Sequence, residues 1–337
     1  MSDEWLKRFA VVGGITACAT GLAAFGMYKL HRSYHRQQYE WKEVGKLSNL
    51  MIHPVKACRG LQVVGAECTP LGMKSSDGCI RDRNFAILNG DNSIVTMRQR
   101  SALALIRTSI SDDGKYLLLD APDMPTVKVP LGVKVTDDND VIRFRLWRLE
   151  AEGYNCGEEV ASWLDKYLNS SDHKLVCYTP DLEPKRNFEC PKWGSRASTH
   201  DQSIFQDLAQ YHLFTLASLD KLNNKLENKV GVRNFRPNFV VEGVQEGFEE
   251  DNWRYVRIGD NVILRMTHLC GRCKQTTVDP ETGVVNEEPL KTLKGFRCVD
   301  SSHPDHKGLA GAPAFGLNLN LEVSGTVAVG DTVYASY

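Results

Sequence analysis

From position 45 onwards the chain carries one short β-strand pattern after another, and clusters of turn-forming residues separate these patterns. Two segments, 156–168 and 216–226, instead repeat apolar residues at helical spacing. Because strands do not alternate regularly with helices, the pattern argues against a doubly wound parallel sheet. It predicts a β-rich α+β fold.

Turn signals bound the expected strands, such as NGDN at 89–92 and DDG at 112–114. The sequence Gly259-Asp260-Asn261 predicts a hairpin turn. In the second helical segment, Ser218 is the candidate N-cap, because serine often precedes an apolar-periodic run. We expect strands over 47–53, 61–67, 84–88, 93–97, 102–110, 115–119, 126–129, 141–146, 239–241, 255–258, 262–266, 317–323, 326–329 and 333–337.

Length and charge limit the domain number and the class of protein. A chain of 337 residues corresponds to roughly two domains of about 150 residues. Since 41 Lys and Arg face 42 Asp and Glu, the chain lacks the basic excess of a nucleic-acid-binding protein. A proline- and charge-rich segment at 180–203 predicts a boundary. We therefore expect an anchor and linker over 1–44, a β-rich subdomain over 45–183 and a second domain over 184–337, with 45–83 able to pack against the latter.

The N-terminal region contains a candidate membrane anchor. Residues 9–28 carry no charge, and as a helix they would span about 30 Å, the thickness of the bilayer hydrocarbon. The alternatives are a cleaved signal peptide and a buried core helix. Lys29, Arg32 and Arg36 follow the run, so the positive-inside rule predicts that the body faces the cytosol.

The sharpest local motif is a cysteine pair, Cys270-Gly271-Arg272-Cys273. Such a pair is found in zinc sites, which need further ligands elsewhere, and in dithiol redox sites. One thiolate beside an arginine also suits a soft metal. Two buried, inert cysteines remain a fourth interpretation. The presence of Arg272 between the cysteines argues against this interpretation, because a buried arginine needs an anion. The ten cysteines are unevenly spaced, which predicts free thiols in a reducing compartment.

Several cations stand at the ends of expected strands, namely Lys56, Arg81, Arg83, Arg98 and Arg236. One such residue is usually solvated or paired, but several together indicate an anionic ligand such as phosphate. The chain has no Gly-x-Gly-x-x-Gly fingerprint opening a helix. A redox enzyme of this sequence would therefore receive its electrons from another protein.

Five motifs occur in a fixed order: IHPVKACRG (52–60), IRDRNFAI (80–87), NFRPN (234–238), CGRCKQTTVDP (270–280) and GDTVY (330–334). With them the chain resembles the MOSC family of molybdenum-cofactor proteins, and within it the mitochondrial amidoxime-reducing components. The resemblance implies an N-terminal transmembrane anchor in the mitochondrial outer membrane. A MOSC N-terminal β-rich subdomain and a β-barrel-like MOSC domain would follow.

The resemblance also implies a site for the molybdenum cofactor. Cys273 matches the protein ligand of the metal, and Asp207 matches an acidic residue near its open side. Ala57 stands where relatives often have serine, so one hydroxyl contact to the cofactor is expected to be missing. The positions expected to bind the cofactor are Lys56, Ala57, Arg83, Arg236, Gly271, Arg272 and Cys273.

The activity implied by the resemblance is the reduction of N-hydroxylated compounds such as amidoximes, hydroxylamines and N-oxides. Electrons would come from NADH through cytochrome b5 reductase and cytochrome b5. The main alternative is a non-catalytic carrier of the molybdenum cofactor. A structural zinc protein is the third reading, and it predicts zinc without molybdenum.

Overall fold

The computed structural model describes residues 39–147, 149–182, 186–187 and 201–337. The anchor expected at 9–28 and the boundary expected at 183–184 lie outside these ranges. Among the described residues, no helix has the length and apolar character needed to cross a bilayer.

The described part of the chain is dominated by strands, which we number in chain order. They are β1 Lys42–Ile52, β2 Leu61–Val63, β3 Gly65–Thr69, β4 Gly72–Ser75, β5 Phe85–Leu88, β6 Arg107–Ile110, β7 Tyr116–Asp120, β8 Val127–Pro130, β9 Val141–Leu146, β10 Leu149–Asn155, β11 Lys174–Cys177, β12 Arg186–Asn187, β13 Gln202–Ser203, β14 Tyr211–Thr215, β15 Phe239–Glu242, β16 Tyr255–Ile258, β17 Val262–Gly271, β18 Ala314–Val323, β19 Gly325–Ala328 and β20 Thr332–Ser336. The helices are α1 Glu158–Leu168, α2 Leu216–Asn223, α3 Val232–Phe235, α4 Leu290–Phe296 and α5 His306–Leu309.

One sheet closes on itself as a barrel. Its strands follow the order β15-β14-β18-β17-β16-β20-β1-β2, and β1 also pairs with β15. The long strand β1 makes this closure because its first half pairs with β20 and its second half with β2, while β15 pairs along its other edge. The expected β-rich α+β fold is therefore confirmed, with a β-barrel in it.

The barrel is filled by aliphatic side chains that point inwards from alternate positions. Leu47, Leu213, Leu264, Leu317 and Val333 are completely buried in one cluster. Each buried leucine stabilises the fold by about 1.5–3 kcal/mol through the hydrophobic effect. The barrel therefore provides a rigid support for the loops at its strand ends.

Smaller sheets accompany the barrel. They have the strand orders β5-β11-β10-β9, β6-β7-β8 and β19-β3-β4, with β12 paired to β13. Helix α1 contacts β8 and β11, and it buries Val160, Trp163, Leu164 and Leu168 on one stripe. The helical spacing at 156–168 predicted this helix, which begins two residues later than expected.

Four local expectations are wrong in detail. Thr215, not Ser218, caps α2, because the Thr215 side chain accepts the Ser218 N–H at 3.2 Å. The strand expected over 61–67 is interrupted at Val64, and the first part of 102–110 is a 3-10 helix. Residues 93–97 make only isolated bridges, because Thr96 turns the chain by donating to the Gln99 side chain.

Candidate functional site

A cavity of about 320 Å³ opens where several strands end. Five residues expected at the site line it, namely Arg83, Asp207, Arg236, Gly271 and Cys273. They come from the segment before β5, the loop before β14, the link from α3 to β15, and the end of β17. The barrel thus gathers residues that are up to 190 positions apart in sequence.

The two cysteines of the pair have different environments. Cys273 is exposed, whereas burial raises the pKa of the Cys270 thiol. Both are free thiols, like the other cysteines in the described residues. Between them Gly271 packs closely, since a Cβ there would lie 2.8 Å from a methyl carbon of Leu309. Both cysteines line the cavity, and Cys273 is the thiol that is more accessible to a ligand there.

Arg272 is turned towards the protein interior. Its guanidinium donates to the carbonyl of Phe315 at 2.7 and 2.9 Å and to that of Phe235 at 3.1 Å, and it contacts His212 Nε2. Burial, together with Arg272, keeps the pKa of His212 well below its usual value, so this imidazole is neutral. Arg272 is not among the described residues that line the cavity, and its expected contact with a cofactor stays a prediction.

A buried carboxylate organises the cations on one side of the cavity. Asp82 accepts from Arg83 Nη1 at 2.5 Å and from the His53 backbone N–H at 2.8 Å. Burial acts to raise the pKa of Asp82, but Arg83 and His53 outweigh it and bring the pKa to about 2. Arg83 also donates to the carbonyl of Arg236 at 3.3 Å, so the two arginines are held side by side.

Arg236 and its neighbours are constrained as well as charged. Burial, and then Arg83, lowers the pKa of Arg236 to about 10, and its Nη1 donates to the carbonyl of Cys58. Ala57, Arg83 and Arg236 have φ angles of 68°, 51° and 55°, in the left-handed region that is unfavourable for such residues. Strained backbone of this kind clusters at functional sites.

Lys56 is connected to the cavity by its ion pair with Asp207, which lines the wall. The Lys56 ammonium is buried, donates to the carbonyl of Phe205 at 2.9 Å and forms an ion pair with Asp207. Asp207 Oδ1 also accepts from Trp147 Nε1 at 2.7 Å. Ala57 and Lys56 themselves are not among the described residues that line the cavity.

The charges named so far do not balance. Among the described residues, Lys56 pairs with Asp207 and Arg83 with Asp82, whereas Arg236 and Arg272 donate to backbone carbonyls and have no carboxylate within ion-pair distance. All four cations are buried or largely buried, and unpaired positive charge in such a setting is costly. The site is therefore suited to an anion. Among the described residues, no group of three or more His, Cys, Asp or Glu side chains is arranged to hold a metal ion.

Sequence reasoning missed four contributors to the site. Asp82 was visible only as the residue between two arginines, and nothing marked His212, Asn318 or Trp147. His212 and Asn318 lie on the adjacent strands β14 and β18, and they face each other in register. Such a pairing depends on sheet topology, which one strand's sequence does not reveal. Arg81 lies elsewhere, since it bonds Thr69 and Gly72.

Comparison with known proteins shows which families and relatives the chain is similar to. The family model described as MOSC N-terminal beta barrel domain matches residues 44–171, and the MOSC domain model matches residues 200–334. Mitochondrial amidoxime-reducing component 1 from Homo sapiens is 38% identical over 332 residues, which cover 98% of this chain and 93% of that protein. Mitochondrial amidoxime reducing component 2 from Rattus norvegicus is 35% identical, covering 95% and 92%. A crystal structure of the YUAD protein from Bacillus subtilis matches with 11% identity over 88% of this chain and 100% of that one, and its TM-score of 0.35 supports no argument.

The barrel and the two matched domains define a MOSC-domain protein. Within that class, the chain belongs to the family of mitochondrial amidoxime-reducing components. The resemblance drawn from the five sequence motifs is thereby confirmed.

Proposed function

We propose that the protein is a molybdenum-cofactor-dependent reductase of N-hydroxylated compounds, such as amidoximes, hydroxylamines and N-oxides. The observation that carries the proposal is an exposed thiol, Cys273, on a cavity whose surroundings carry excess positive charge. The names of the relatives, amidoxime-reducing components, support this choice of substrate.

The residues present fit the cofactor. A thiolate is a suitable ligand for a soft, redox-active metal, and Cys273 is the exposed thiol of the pair. Arg83 and Arg236 line the cavity, and arginine presents the planar fork that suits a phosphate. Lys56 and Arg272 add positive charge nearby. The backbone of Gly271 lines the cavity, and the lack of a side chain there lets β17 pack against Leu309.

When bound, the molybdenum cofactor would supply the two-electron chemistry that removes oxygen from an N–OH group. The protein residues bind and orient the reactants. Asp207 is fixed by Lys56 and Trp147 at the cavity wall, where its carboxylate can accept a hydrogen bond from the N–H or O–H of a substrate. His212 stays neutral, so it adds no charge there.

We infer the electron source and the location from the same family. Electrons would come from NADH through cytochrome b5 reductase and cytochrome b5, which agrees with the lack of a nicotinamide fingerprint in the sequence. Residues 9–28 would anchor the protein in the mitochondrial outer membrane with its body facing the cytosol. Anchoring all three proteins in one membrane raises their effective concentration.

The test is metal content and turnover of the full chain from a host that makes molybdenum cofactor. We expect molybdenum in a one-to-one ratio and reduction of benzamidoxime with a cytochrome b5 system. Cys273→Ala should lose both, whereas Cys270→Ser, the matched control, should keep most of both because Cys270 is less exposed than Cys273 and is not the expected ligand. Zinc in place of molybdenum, from a host shown to load a known molybdoenzyme, would contradict the proposal. Molybdenum without turnover would favour the cofactor-carrier alternative.

A further inference from the structure

Among the described residues that line the cavity, one aromatic side chain is strongly exposed. Trp147, in the tight connection between β9 and β10, is 46% exposed. Tyr211 and Phe235 also line the cavity, but they are only 1% and 2% exposed because they belong to the core. An indole left in water loses the hydrophobic stabilisation that burial would give it. Trp147 therefore offers apolar surface to a bound molecule.

Trp147 is exposed but held in place. The guanidinium carbon of Arg98 lies 4.8 Å from the ring centroid, a cation–π contact. The indole Nε1 donates to Asp207 Oδ1 at 2.7 Å. The backbone adopts φ 60°, which is uncommon for a bulky residue. These contacts fix the plane of the ring, and a fixed ring loses little entropy when a ligand stacks on it.

A second exposed apolar side chain lines the same cavity. Leu208, next in sequence to Asp207, is 43% exposed and lines the same cavity. Trp147 and Leu208 thus add apolar surface to the cavity that the Asp207 carboxylate also lines. A ligand with a polar N-hydroxy head and a flat apolar body matches this arrangement, since the carboxylate can accept from the head while the body contacts the two side chains.

We propose that Trp147 and Leu208 form the subsite for the substrate body, and that this subsite makes the protein select aromatic amidoximes over small aliphatic ones. This inference rests on the proposed function. Stacking on an aromatic ring contributes about 0.5–1.5 kcal/mol beyond the area buried, which corresponds to roughly 2- to 13-fold in affinity.

The first test compares two substrates with the same head, benzamidoxime and acetamidoxime. Trp147→Ala also removes the bond to Asp207, which serves the head group of both substrates. We therefore expect the ratio of KM for benzamidoxime to KM for acetamidoxime to rise by about five- to tenfold, with molybdenum content unchanged. Trp147→Phe keeps a ring but loses the bond to Asp207, and it should stay within about threefold of the wild type. Val64→Ala, at an exposed site between β2 and β3, is the matched control and should change neither substrate.

Two results would overturn the subsite. If Trp147→Phe is as impaired as Trp147→Ala, the bond to Asp207 matters and the ring does not. If Trp147→Ala impairs both substrates equally, Trp147 has a merely structural role.

A second test does not require turnover. Calorimetric binding of benzamidine and acetamidine, which carry the product head group, measures the same preference directly. We expect wild-type protein to bind benzamidine more tightly, and Trp147→Ala to lose that preference. Equal binding of the two amidines by the wild type would refute the subsite. If the wild type shows the preference but reduces neither amidoxime, the subsite stands and the proposed reductase function fails.

Discussion

At the scale of single residues, Asp82 is the group on which the charged side of the cavity depends. It is completely buried, and it binds Arg83 and the His53 backbone directly. Since its pKa is held at about 2, the carboxylate is ionised throughout the physiological range. Removing its charge would leave Arg83 without its carboxylate partner in a largely buried position.

We expect Asp82→Asn to lower the free energy of unfolding by about 3–5 kcal/mol, the usual cost of breaking a buried ion pair. The lowered pKa means that the stabilisation is complete above the ordinary value of 3.8 and is lost as the pH falls towards 2. Urea unfolding of both proteins at pH 7 and at pH 3 measures this. Asp112→Asn, at an exposed turn, is the control and should shift stability by less than about 0.5 kcal/mol. A loss for Asp82→Asn as small as that of the control would refute the buried-pair account.

At the scale of elements, the start of α2 is joined to a 3-10 helix, Glu249–Asn252, by a buried acid. Glu250 accepts from the Ser218 hydroxyl at 2.6 Å and from the Thr215 hydroxyl at 3.1 Å. Burial raises the pKa of Glu250 to about 7 despite these bonds. The cap of α2 therefore contains a carboxyl group that changes its charge near neutral pH.

The pKa of Glu250 is higher in the folded protein, about 7, than its ordinary value of 4.5 in an unfolded chain. The neutral carboxyl therefore stabilises the fold below pH 4.5, and this stabilisation is lost as the pH rises through about 7. The shift corresponds to a loss on the order of 3 kcal/mol from this group. Glu250→Gln stays neutral and can keep the same bonds, so its melting temperature should fall less between pH 5 and pH 8. Exposed Glu246→Gln should follow the wild type. If the melting temperatures of wild type and Glu250→Gln change with pH in the same way, Glu250 does not titrate in this range.

The elements also show what the sequence could and could not predict. Alternation and turn signals predicted β7, β9 and the β16–β17 hairpin, because those strands have distinct faces or tight turns. Strands β11 and β14 were missed. Three of the four residues of β11 and all of β14 are buried, so they show no alternation of apolar and polar positions. At the site, the cations at strand ends were visible, but the contact of Arg98 with Trp147 depends on the fold.

At the scale of the whole molecule, the barrel is closed where β1 meets β15. Gly45 lies on this seam, and a Cβ there would lie 2.0 Å from the carbonyl oxygen of Glu242. We expect Gly45→Ala to force these strands apart and to lower stability by about 1–3 kcal/mol. At Gly295 in α4, an added Cβ would meet no neighbouring atom outside the helix's own backbone within 4 Å, so Gly295→Ala should instead raise stability by up to about 1 kcal/mol. Thermal unfolding followed by circular dichroism compares them, and a Gly45→Ala protein as stable as the wild type would contradict the tight seam.

The pairing of β1 with β20 has a consequence for synthesis in the cell. Lys42 pairs with Ala335, so a ribosome delivers one strand of this pair long before the other. At about 5–20 residues per second, the interval is on the order of tens of seconds. Throughout it, β1 has a free edge that could recruit strands of other nascent chains. The barrel therefore closes only after β20 has left the ribosome, and until then the edge of β1 that β20 will cover stays open to wrong partners.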